Sequence, residues 1–198
     1  TLADNLLDAP RNNFLVSIFP GEPTGLAAID VSTGELVLEM VAPGDLEPAL
    51  KRYDAREVVL PAGATIPTGD LMVTRREAWE FDAAVADEDL RRRFRLASLD
   101  GLGIEPGYRA ALAAAAALLR YAVELQPAGL PQLGRPTVRR AGNTVPLDEM
   151  TRRNLELVEP LRGAGTAGTL LEVLDHTATP MGARMLRRWL LAPLRLVP

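Results

Sequence analysis

Residues Phe14–Phe19 are apolar at every position but Ser17, a pattern that predicts a short strand buried on both faces. Pro20-Gly21-Glu22-Pro23 then turns the chain. Two arms, 25–31 and Glu35–Val41, flank Ser32-Thr33-Gly34 and read as a hairpin, with Gly34 free to take a positive φ. In the second arm Leu36, Leu38 and Met40 share one face and Glu39 points away from it. Leu46 and Leu50 stand one turn apart in a predicted helix, 44–53. Runs at 57–60 and 71–74 predict two more strands, and 82–95 a strongly charged helix. Three antiparallel strands followed by alternating helix and strand predict an α/β fold with a mixed sheet, layered in the ribonuclease H-like manner.

From Ile104 the pattern turns helical. Pro106 opens a helix that runs through seven alanines in 110–117 to about Gln126, where Pro127 stops it. Its apolar stripe is Leu112, Leu119, Val123 and about Ala115–Ala116. The Pro- and Gly-rich stretch 127–146 predicts an extended loop with one or two short strands. Asp148 is placed to cap a helix with Met150, Leu157, Val158 and Leu161 on one side. After a loop at 163–168 come two short helices broken at Ala178-Thr179-Pro180. Thr179 stands as N-cap of the second and Pro180 at its first position, where a missing N–H costs nothing. Met181, Met185, Leu186, Trp189 and Leu190 fall on one half of that helix, and Arg184, Arg187 and Arg188 on the other. The expected order is therefore a linker at 1–10, an α/β domain at 11–104 and an all-α region at 105–198.

Composition narrows the chemistry. The chain has 198 residues, no cysteine and one histidine, His176, which excludes disulfides and thiolate sites and argues against a histidine metal site or triad. No run reaches the roughly 18 apolar residues of a membrane span, and no signal peptide is visible, so a cytoplasmic location without membrane contact is expected. Net charge is −4 but uneven: 1–134 hold 12 basic and 20 acidic side chains, a net −8, while 135–198 hold 10 and 6, a net +4. A first domain gripping phosphates would need the opposite balance. The lack of an initiator Met and the stop just after a helix at Leu196-Val197-Pro198 suggest an excised fragment.

Each candidate group also has a structural role open to it. Two-metal nuclease chemistry needs three or four converging carboxylates, whereas Asp30, Asp45 and Glu47 are scattered, and Asp30 suits a turn beside Ser32. A stand-alone ribonuclease H-like metal-dependent nuclease is the alternative reading on those grounds. His176 reads as a buried or capping imidazole. In helix 82–95 the spacing sets Asp87 against Arg91, Glu88 against Arg92 and Asp89 against Arg93, acid before base, the favourable order. Trp79 and Phe81 just before it are expected to anchor the helix to the sheet.

Several islands in chain order resemble one family, the MutS proteins of DNA mismatch repair. They are Arg11-Asn12-Asn13-Phe14-Leu15, the hairpin from Leu26 to Glu35 (LAAIDVSTGE), Trp79-Glu80-Phe81, and Ser98 to Gly103 (SLDGLG). Leu118 to Gln126 (LLRYAVELQ), Leu147 to Leu157 (LDEMTRRNLEL) and Thr179 to Leu194 (TPMGARMLRRWLLAPL) complete the series. The resemblance implies a connector domain at 11–104 and the first, incomplete part of a helical core domain at 105–198. It also implies a parent that binds mismatched DNA, uses ATP and magnesium, and works as a homodimer. No G-x-x-x-x-G-K-[ST] occurs, and the only lysine, Lys51, follows a leucine, so this stretch is expected to hold no active site and no cofactor of its own. Its implied role is to transmit nucleotide state and to dock a MutL-type partner through the connector. For that docking the charged helix places Glu88, Asp89 and Arg92. Arg184, Arg187 and Arg188 are candidates for weak DNA contacts or for contacts between domains.

Overall fold

Both faces of Phe14–Phe19 (β1) are covered, and its apolar run follows from that. In the computed structural model β1 pairs antiparallel with Thr24–Asp30 (β2) and parallel with Glu57–Pro61 (β4). Glu35–Val41 (β3) continues the hairpin from β2, and Gly34 takes its positive φ of 76° in the turn. Met72–Arg76 (β5) forms one edge and Thr137–Arg139 (β6) the other, giving a mixed sheet in the order β5-β4-β1-β2-β3-β6. The structure describes residues 14–42, 44–55, 57–69, 71–126, 130–140, 145, 147, 149–162 and 165–195. The expected linker 1–10, the Asp148 cap and residues 196–198 lie outside them.

On one face, Phe14, Val16, Ile18, Leu26 and Val58 pack against Leu46–Arg52 (α1) through Ala49 and Leu50. Glu39 does point away from Leu36 and Leu38, but α1 covers that side too. The carboxylate is buried and accepts from Nη2 of Arg52 at both of its oxygens, at 2.6 and 2.7 Å, with Tyr53 donating at 3.0 Å. On the opposite face, Leu15, Ala27, Ile29, Leu36 and Leu38 meet Arg109–Leu125 (α3) and Ala83–Phe94 (α2). There Glu57, buried on β4, accepts from Thr74 at 2.5 Å and from Tyr121 at 2.6 Å, tying α3 to β4 and β5.

The alanine run makes the approach of α3 possible. Ala111 and Ala113–Ala117 are all buried, and at Gly25 a Cβ would lie 2.0 Å from the carbonyl carbon of Ala110. Helix and strand backbones are thus in contact, with no room for a methyl group.

Contacts divide the chain into two compact units, the first ending at Arg140 and the second running from there to the C-terminal region. The boundary expected after residue 104 falls inside the first unit. A helix laid on a sheet changes the sequence pattern as sharply as a new domain does. After α3 the chain returns to the sheet: Gln132 donates to the carbonyl of Val31 at 2.7 Å, Gly134 N–H to Gly34 at 2.8 Å, and β6 pairs parallel with β3.

In the second unit the helix expected from 148 spans only Glu149–Asn154 (α4). Glu156 takes a positive φ of 45°, and Leu157 and Val158 turn into a small cluster with Leu171, Leu186 and Leu190. Met150 and Leu161, expected on the same side, are exposed. Leu170–Leu174 (α5) and Pro180–Leu191 (α6) follow, broken as the sequence predicts. Thr179 caps α6 by accepting from the Gly182 N–H at 3.1 Å.

Two measurements check this packing. Replacing Gly25 by alanine should cost about 3 kcal/mol, since the added methyl meets backbone and no flexible side chain can yield. An unchanged denaturation midpoint would contradict the close approach. Burial raises the phenols of Tyr53 and Tyr121, and the Glu39 and Glu57 carboxylates reinforce the shift. The folded state therefore holds protons that the unfolded state releases near pH 10. Their stabilisation is complete below about pH 10 and declines as pH rises beyond it. Spectrophotometric titration should show Tyr53 ionising only with unfolding and Tyr121 ionising above the free phenol's range; ionisation of both near pH 10 would refute it.

Candidate partner-docking surface

α2 starts where the Asp82 carboxylate accepts from the Ala84 N–H at 2.8 Å, and ends at Arg95, whose φ of 55° closes the last turn. Ala86 and Leu90, one turn apart, bury its inner face in the same cluster as Leu112 and Ala116 of α3. The outer face is charged. Arg91 pairs with Asp87 at 2.7 Å, and Arg92 reaches both Glu88, at 4.0 Å, and Asp89. The expected pair of Asp89 with Arg93 is not made. Arg93 instead donates to the carbonyl of Leu130, which fastens α2 to the segment returning to β6.

Glu88 and Arg92 are more than two-thirds exposed and Asp89 about half, so solvent screens their mutual pairing. Each such pair contributes only about 0.3–0.5 kcal/mol. These three side chains do nothing for the core and stand together on one outward face, at the place the sequence marked.

Phe81 does anchor the start of α2: it is buried and stacks on Phe19 of β1 with ring centroids 5.8 Å apart. Trp79, expected to share that task, is 63% exposed, with the Arg120 guanidinium 4.8 Å over its ring. Beside α2 lies an open cleft of about 420 Å³, bounded by 97–100 and 104–109. Sequence spacing gave no sign of it, because its lining mixes alanines and charged side chains with Leu99, Ile104 and Leu112, which also serve the core.

The other candidates fall into place individually. Asp30 is a turn residue: its Oδ1 accepts from Ser32 N–H at 2.9 Å, Ser32 Oγ at 2.5 Å and Thr33 N–H at 3.4 Å. Among the described residues no group of three His, Asp or Glu is placed to hold a metal ion, and no helix is long and apolar enough to cross a membrane. His176 is exposed rather than buried. In α6 Arg187 is largely covered and faces Glu159 at 3.7 Å, and Arg188 contacts Met185 Sδ at 3.3 Å. Arg184 is half-buried, so the three arginines do not form one open cationic face. The apolar half of α6 divides: Leu186 and Leu190 pack inward, whereas Met181, Met185 and Trp189 are exposed.

Residues 13–134 match the family model for MutS domain II, and 150–197 that for MutS domain III. The DNA mismatch repair protein MutS of Solibacter usitatus is 40% identical over 201 residues, covering 96% of this chain and 23% of the relative. That of Synechococcus sp. (strain RCC307) is 40% identical over 199 residues, 98% of this chain and 22% of the relative. That of Chlorobaculum tepidum is 35% identical over 209 residues, 98% and 24% respectively. The chain thus spans less than a quarter of the length of these curated relatives.

Proposed function

Since the chain belongs to the MutS family of DNA mismatch repair proteins, we propose that it is the connector and the first part of the core of such a protein. In this reading the first unit is a ribonuclease H-like connector that docks a MutL-type partner, and the second an incomplete helical core that transmits nucleotide state. Neither unit carries an active site or a cofactor. Mismatched DNA, ATP with magnesium and homodimer formation belong to the whole parent protein, which would act in the cytoplasm.

The observation that supports docking is the outer face of α2. Glu88, Asp89 and Arg92 are exposed, paired among the described residues only with one another, and mounted on a helix fixed by Ala86, Leu90 and the Arg93–Leu130 link. Rigid backbone beneath mobile charge suits an electrostatic docking face, where charge governs encounter and register more than affinity. The Asp30 carboxylate, the one acid at a β2 strand end, is held by Ser32 and Thr33, which weighs against the nuclease alternative.

Reversing Glu88 and Asp89 to arginine tests the reading. Association with a purified MutL-type protein should slow by about tenfold at low salt, with a smaller effect at high salt. Thermal stability should change by less than about 1 kcal/mol, because only exposed helix pairs are lost. Unaltered association would remove α2 as the docking face, and no binding by the unsubstituted chain would remove the connector as the docking domain.

A further inference from the structure

We propose that β6 is a releasable mooring: residues 137–140 leave β3 while the stretch before them, 130–136, stays fixed, so that the second unit can shift without disturbing α2. The two stretches are held in different ways. Leu130 and Leu133 are buried in the cluster that also holds Ala86 and Leu90 of α2. Arg93 binds the Leu130 carbonyl, Gln132 donates to the carbonyl of Val31 at 2.7 Å, and the Gly134 N–H to that of Gly34 at 2.8 Å. A Cβ at Gly34 would lie 2.1 Å from the Gln132 carbonyl oxygen, so the two backbones touch there. Pro136 is buried as well. Opening 130–136 therefore exposes core and breaks several bonds together.

The mooring lacks such support. β6 is an edge strand, in register with β3 from Val37–Thr137 to Glu39–Arg139. Along its other side β3 pairs with β2 from Glu35 to Val41, so it keeps its place in the sheet without β6. Thr137 is exposed, and Val138 and Arg139 are only half-buried. The Thr137 hydroxyl reaches the Leu36 carbonyl at a long 3.4 Å. Arg139 stands opposite Glu39, whose two carboxylate oxygens Arg52 and Tyr53 already hold. The last tie, Arg140 to Glu105 at 3.1 Å, joins two side chains more than half exposed, and water screens it. The first unit ends at Arg140, so a movement of the second unit loads 137–140 first. Segments with little buried surface open locally, well below the free energy of global unfolding. Four residues released and extended give about 13 Å of slack. The fixed stretch 130–136 keeps that movement from reaching α2.

Amide exchange of the 198-residue chain, followed by nuclear magnetic resonance in rising urea, tests the mooring. The β6 amides bonded to β3 should exchange at least about a hundredfold faster than Gly134. Their rates should change little in low urea, because this opening exposes little surface. Gly134 should instead follow the urea dependence of unfolding of the first unit. Glu105→Lys sets like charges at 105 and 140. It should speed β6 exchange about fivefold, while Gly134 and the α2 amides keep their rates. Melting curves establish that this variant is folded, and the unsubstituted chain decides without it. One common rate and urea dependence for β6 and Gly134 would overturn the mooring, since the two stretches would then open together. Spread of the Glu105→Lys effect to Gly134 and α2 would overturn it as well.

Discussion

The backbone contact between α3 and β2 is the constraint on which the first unit depends. A glycine at 25 and alanines at 110–111 and 113–117 let a helix lie on a sheet with no side-chain spacer on that line. Leu112 and Leu118 then reach past the contact into the cluster that also receives Ala86 and Leu90. The position of α2 is thus set by how closely α3 sits. The segment after α3 is led back over the β2–β3 turn, where Gly34 leaves space for the Gln132 carbonyl at 2.1 Å from where its Cβ would be. From there β6 completes the sheet edge.

Charge serves opposite purposes inside and outside this frame. Buried Glu39 is compensated by Arg52 and Tyr53, whereas buried Glu57 takes both Thr74 and Tyr121 at Oε1 and leaves Oε2 without a hydrogen-bond partner among the described residues. Loss of one partner there is costly, on the order of 3–5 kcal/mol for a buried ion pair. On α2 the pairs are exposed and weak, so a partner can exchange them at little cost to the fold. A docking face built from such groups can change its contacts while the scaffold beneath stays fixed.

The central strands β1–β4 were legible because their apolar runs have one simple cause, burial by a helical layer on each face. The hairpin, the charged helix and the Thr179-Pro180 helix start were equally readable from local chemistry. What sequence could not show depends on tertiary contact. Arg93 abandons Asp89 for the Leu130 carbonyl, a group 37 residues away in sequence. Trp79 stays exposed while its neighbour Phe81 enters the core, and helix 149–154 ends early because Leu157 and Val158 find Leu171. The placement of α3 was missed for a different reason. Its composition identifies a helix but not the layer it belongs to, and only the Gly25 contact shows that this layer is the sheet's.

The second unit has a much thinner core, Leu157, Val158 and Leu171 with a few half-buried leucines, and it leaves Val173, Met181 and Trp189 more than 60% exposed. In the proposed reading the first unit is a self-sufficient scaffold, whereas this one lacks helices that complete it. Hydrogen exchange on the 198-residue chain tests that difference most directly. Amides of β1, β2 and α3 should exchange only through global unfolding of their unit, and those of α5 and α6 much faster, through local opening. Equal protection of both sets in a demonstrated monomer would contradict it.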